Sequence, residues 1–129
     1  MFIEHIAVWC SDLENMKAFY CKWFNASANS RYFNPVKQFS SYFLSFENGP
    51  RLELMQMPGI PGNTNDTLKQ YIGLIHFAVS VGSAEEVNRL TEIMRINGIT
   101  VLGEPRFTGD GYYESVIADP EGNRIEITA

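Results

Sequence analysis

Two stretches, Ile3-Glu4-His5-Ile6-Ala7-Val8 and Leu74-Ile75-His76-Phe77-Ala78-Val79, hold the chain's only two histidines at matching places. The offset from position 5 to position 76 is 71 residues. A second echo closes each half: Gly49-Pro50-Arg51-Leu52-Glu53-Leu54 answers to Gly122-Asn123-Arg124-Ile125-Glu126-Ile127, at an offset of 73. Each half therefore offers one imidazole early and one carboxylate late. Two His and two Glu suffice for a divalent metal site shared between the halves.

Working outward, each half reads β-α-β-β-β. Phe2–Trp9 is rich in β-branched and aromatic residues and reads as a strand. Ser11 with Glu14 predicts a capping box, and Leu13, Met16, Tyr20, Trp23 and Phe24 share one face of the helix that follows. The helix fades near Asn25. Strands are predicted at Ser27–Phe33, Phe39–Phe46 and Arg51–Met57, with Asn48-Gly49 as the hairpin turn of the last two. Residues 58–72 form a linker that begins rich in Pro, Gly, Asn and Thr. The pattern then restarts with a strand at Leu74–Val81. Ser83 with Glu86 predicts a second capping box, and Val87, Leu90 and Met94 line a helix stopped by Asn97-Gly98. Strands follow at Thr100–Glu104, Tyr112–Ala118 and Arg124–Thr128, the last entered through a turn at Asp119–Asn123. The expected fold is α+β. One domain over residues 1–129 is built from paired βαβββ modules, 1–57 and 73–129, whose curved mixed sheet frames a concave metal-binding cleft.

Strand alternation tests whether the four groups face the same way. His5 shares a face with Ile3, Ala7 and Trp9, and His76 with Leu74, Ala78 and Ser80. Glu53 opposes Leu52 and Leu54, and Glu126 opposes Ile125 and Ile127. All four thus sit opposite the faces that must pack on helices. A carboxylate flanked by large apolar residues is costly to bury unpaired, and a divalent cation removes that cost. Arg51 and Arg124, two residues from each Glu on the same face, are the competing partners. Met55 and Met57 are expected either to flank the cleft as apolar wall or to sit in the core.

The bulk numbers exclude other classes. The net charge is −5 and the ten Lys and Arg residues form no cluster, so the phosphate-neutralising footprint of a nucleic-acid partner is missing. No apolar run approaches the roughly 18 residues of a membrane span. The start lacks the basic and long apolar stretches of a secretory signal, so a cytoplasmic location is expected. Cys10 and Cys21 are too few for a disulfide framework. Cys10 also lies on the opposite strand face from His5, against a thiolate nucleophile. Gly109-Asp110-Gly111 reads as a tight turn, not a phosphate loop.

These residues resemble the vicinal oxygen chelate superfamily, in particular its glyoxalase I-like (lactoylglutathione lyase-like) branch. The resemblance is carried by Glu4-His5-Ile6-Ala7-Val8-Trp9 with Asp12-Leu13, by Arg51-Leu52-Glu53-Leu54-Met55, by Leu74–Val81, and by Ala118-Asp119-Pro120-Glu121-Gly122-Asn123-Arg124-Ile125-Glu126-Ile127. It spans essentially the whole chain. It implies paired βαβββ modules, a homodimer, and a metal held by His5, Glu53, His76 and Glu126, with nickel, cobalt or zinc as the ion. It also implies a lyase or isomerase that shifts a proton in a hemithioacetal or related α-oxo substrate, such as a thiol adduct, through a metal-stabilised enediolate. Glu126 is then the first candidate for the base, with Glu53 on the opposite face. Met55-Gln56-Met57-Pro58-Gly59 departs from the aromatic-polar stretch that helps such enzymes hold glutathione. The relatives supply two alternatives: an epimerase of the methylmalonyl-CoA type, and a drug-binding protein of the bleomycin-resistance type that needs no metal.

Overall fold

The computed structural model describes Met1–Ala129 and divides into two compact units, Met1–Asn63 and Thr64–Ala129. The first unit runs β1 (His5–Trp9), α1 (Leu13–Phe24), β2 (Ser27–Ala28), β3 (Tyr32–Asn34), β4 (Phe39–Ser45) and β5 (Arg51–Gln56). Its sheet has the order β1-β5-β4-β2, with β3 also paired to β4. β1 and β5 are parallel and the other pairs antiparallel. One face of this sheet is covered by α1. Leu13, Met16, Phe19 and Tyr20 are buried on the helix, and Leu44, Leu52 and Leu54 are buried on the strands beneath. Phe19 belongs to that apolar stripe, whereas Trp23 is only half-buried and carries the Lys22 ammonium over its ring.

Local chemistry explains where the elements differ from the sequence reading. The cap of α1 is Asp12, not Ser11: its Oδ1 accepts from the Asn15 amide at 3.0 Å. Starting one residue later removes Glu14 from the capping-box position. Its carboxylate instead meets Lys17 and the Tyr42 hydroxyl. α1 ends where expected, because Asn25 takes the left-handed conformation (φ 53°) that Asn tolerates better than most residues. The single strand expected over Ser27–Phe33 is broken into two. Asn29 explains the break, since its side-chain carbonyl accepts from the Phe43 amide at 2.8 Å. A side chain thus takes a place that a strand carbonyl would hold.

The second unit repeats the plan: β6 (His76–Ser80), α2 (Ala84–Ile96), β7 (Val101–Phe107), β8 (Tyr113–Ala118) and β9 (Arg124–Thr128). The order is β6-β9-β8-β7, again with the first and last strands of the unit, β6 and β9, paired in parallel. Val87, Leu90, Thr91 and Met94 of α2 are buried, as are Ile117, Ile125 and Ile127 of the sheet. Ser83 caps the Glu86 amide as expected, but the Glu86 carboxylate binds Arg89 and does not return to close the box. β7 runs beyond the expected Glu104, through Pro105 to Phe107. It is an edge strand with two register shifts, which is where a sheet can accommodate proline. Asp119 organises the final turn by accepting from the amides of Glu121 and Asn123, and Gly122 supplies the positive φ of 83°. No helix is long and apolar enough to cross a membrane.

Candidate metal centre

Parallel pairing sets the geometry in each unit. On the sheet face away from α1, His5 lies opposite Arg51 and Ala7 opposite Glu53, so His5 and Glu53 are diagonal neighbours. In the second unit His76 lies opposite Arg124 and Ala78 opposite Glu126. The two registers are the same. Each therefore brings an imidazole Nε2 towards a carboxylate, at 3.8 Å for His5 and Glu53 and 3.1 Å for His76 and Glu126. Ala7 and Ala78 leave room beside the carboxylates. The Glu53 and Glu126 side chains are 15% and 18% exposed, the imidazoles 40% and 38%, so covered carboxylates stand beside open rings.

Neither arginine forms an ion pair with the Glu two residues along its strand. Arg51 pairs with Glu4 and lies over the Phe43 ring, 4.2 Å from its centroid. Arg124 donates to the Thr67 carbonyl at 2.7 Å. Burial pushes the Glu126 carboxyl above the ordinary carboxylate range and nearby Glu114 adds to this, while His76 and the two arginines Arg106 and Arg124 pull it down. Glu114 itself is nearly buried and meets Arg106 at 3.4 Å.

The two units differ around the ring. In the first, Glu4 bonds the His5 Nδ1 as well as Arg51. The contact with His5 and then that with Arg51 hold the Glu4 carboxyl below its usual range. A carboxylate on Nδ1 fixes the ring so that Nε2 keeps its lone pair for another partner. In the second unit Ile75 stands where Glu4 stands, so no carboxylate from that position reaches His76. Glu4 belongs to the motif quoted at the outset, and its role as a ring support was not read from sequence. The one signal in the sequence was its place beside His5. Met55 does lie on this face, opposite Trp9. Neither cysteine is in a disulfide; Cys10 is buried and Cys21 half-buried.

Within each unit the candidate groups come as a pair, and no set of three or more His, Cys, Asp or Glu suited to a metal ion forms. The pairs nonetheless fit one. Two donors bound to the same ion at about 2.1 Å lie about 3 Å apart in neighbouring octahedral positions and never more than about 4.2 Å apart. The observed separations of 3.1 and 3.8 Å fall inside that limit. A neutral imidazole nitrogen beside a carboxylate is a borderline donor set, suited to several first-row divalent ions.

Residues 2–127 match the sequence profile of the Glyoxalase/Bleomycin resistance protein/Dioxygenase superfamily. Among solved structures, the chain is similar to the trypanothione-dependent glyoxalase I of Leishmania major. The TM-score is 0.77 at 20% identity, over 99% of this chain and 86% of that one. A glyoxalase family protein from Enterococcus faecalis gives 0.77 at 23% identity, over 98% and 96%. A glyoxylase/bleomycin resistance protein/dioxygenase domain from Frankia sp. EAN1pec gives 0.80 at 16% identity, over 99% and 96%. Likeness at these identities is a likeness of fold. No curated relative matches the chain in sequence.

Proposed function

Because the chain belongs to the Glyoxalase/Bleomycin resistance protein/Dioxygenase superfamily, we propose that it is a metal-dependent lyase or isomerase of the glyoxalase I kind. It would act on a hemithioacetal or related α-oxo compound, a thiol adduct included, as a homodimer in the cytoplasm. One observation carries the reading: the same strand register, built twice, sets a histidine Nε2 against a largely buried carboxylate on the face no helix covers. We take His5 with Glu53, and His76 with Glu126, as metal-ligating pairs.

A bound divalent ion would polarise two neighbouring substrate oxygens and so acidify the adjacent C–H. The protein supplies the rest. Glu126 is the base: burial raises its proton affinity, which suits a group that must accept a proton from carbon and return it to the next carbon. Glu53 offers a second carboxylate. Glu4 holds the His5 ring in place. Thr128, two residues from Glu126 on the same strand face, has a buried hydroxyl oxygen with no hydrogen-bond partner.

The test is metal analysis of protein purified without chelator, followed by turnover of methylglyoxal mixed with several thiols. The expected result is a stoichiometric divalent ion, with activity lost on chelation and restored by nickel, cobalt or zinc. Protein that takes up no ion tightly and turns over no adduct would overturn the proposal.

A further inference from the structure

The face that carries His5 and Glu53 changes character along its strands. Beyond Ala7 comes Trp9, in register with Met55, which in turn faces Ser41 of β4. Phe39 stands edge-on to Trp9, with ring centroids 6.1 Å apart and planes at 89°. Tyr32 of β3 extends the cluster, 6.2 Å from Phe39. Strand alternation puts Phe39, Ser41 and Phe43 on the same side as Glu53. Three aromatic rings thus form one shelf at the far end of the sheet face that starts with the His–Glu pair.

These rings remain accessible: Trp9 is 40% exposed and Tyr32 54%. Nor does the fold require them. The second unit builds the same β-α-β-β-β plan with Ser80 where the first has Trp9, and Thr128 where it has Met55. A scaffold that folds with two small hydroxyl residues at these places has no structural need for a large ring. An exposed aromatic cluster that stability does not demand marks a binding surface.

Reach identifies the occupant. Trp9 is four strand residues from His5, about 13 Å along the sheet. The side chain between them is the exposed methyl group of Ala7, which leaves an open floor. A small molecule whose oxygens sit at the His–Glu pair would therefore lay an attached group of about 10 Å across Ala7 and onto the Trp9 ring. We propose that Trp9, Phe39 and Tyr32 are the specificity subsite for a substrate bearing a flat aromatic or conjugated arm. The inference rests on the functional reading above and narrows its substrate class.

The test uses two oxygen-chelating probes, acetohydroxamic acid and 3-(2-naphthyl)propanohydroxamic acid, titrated into metal-loaded protein by tryptophan fluorescence and by competition. The naphthyl probe should bind about tenfold more tightly, as expected for ring-on-ring contact plus apolar burial. Trp9→Ser, which copies the second unit, should reduce that preference to about twofold or less, and Tyr32→Ala should reduce it in part. Trp9→Phe should keep most of it, and acetohydroxamic acid should bind all variants alike. Equal binding of the two probes to the wild-type protein overturns the proposal. So does a naphthyl preference that survives Trp9→Ser and Tyr32→Ala. A change of oligomeric state in Trp9→Ser with that preference intact would mark the shelf as a protein contact and also overturn it. Titration of 2-(2-naphthyl)ethanol into metal-free protein separates the two readings: Trp9-dependent quenching there supports the shelf even if no metal is ever bound.

Discussion

Glu126 carries a carboxyl whose proton affinity burial raises, and under the proposed function it also serves as the base. Because burial raises its folded-state proton affinity above the unfolded value, its ionised form opposes folding. That penalty is absent below the ordinary glutamate range and fully present above the raised value. Metal-free Glu126→Gln should therefore be more stable than wild type at neutral pH, and urea unfolding should show the advantage disappear on acidification through the glutamate range. The same variant should lose about 10²- to 10⁴-fold in turnover of a hemithioacetal while its circular dichroism stays unchanged. Glu4 acts differently, through the His5 ring. Glu4→Ala should weaken metal binding by about ten- to a hundredfold in a competing-chelator titration. Sequence pattern brought out the two His–Glu pairs, because duplication made each the check of the other, and the structure sets the members of each pair side by side. The pattern did not reveal Glu4 as a support, because that role depends on a turn bringing Arg51 and His5 to one carboxylate.

At the scale of elements, β9 was legible to the residue, since Arg124–Thr128 alternates cleanly between a turn and the chain end. β2 and β3 were not. Their interruption depends on which backbone amide the Asn29 side chain reaches, and composition does not encode that. Nor was the cap of α1, where Ser11 and Asp12 are both good capping residues and only the helix start decides. A further polar device ties α2 to its sheet. Buried Thr91 donates to the Val87 carbonyl at 2.6 Å and meets the Ser115 hydroxyl at 2.7 Å. Thr91→Val should leave the Ser115 hydroxyl buried without a partner and cost about 1–3 kcal/mol in urea unfolding. Adding Ser115→Ala to that variant should recover part of the loss, because no orphan remains.

For the whole molecule, repetition was the readable feature. The offsets of 71 and 73 residues correspond to two sheets with matched registers and helices on matched faces. What differs between the copies, aromatic rings in one and hydroxyls in the other, carries no periodic signal and emerged only from neighbours across strands. A metal that binds the folded chain alone should raise its thermal midpoint with concentration. At about a hundred times the dissociation constant the gain is about 2.7 kcal/mol, visible by calorimetry with and without chelator.

From Met57 to Ile75 the chain forms neither helix nor strand, and Lys69, exposed within that stretch, is the one Lys or Arg between Arg51 and Arg89. Brief trypsin treatment should therefore cut first after Lys69, giving two fragments on a denaturing gel, each retaining all its strands and its own helix. Such a nicked protein would turn a tandem into a pair of separable parts, whose re-association could be followed by mixing them.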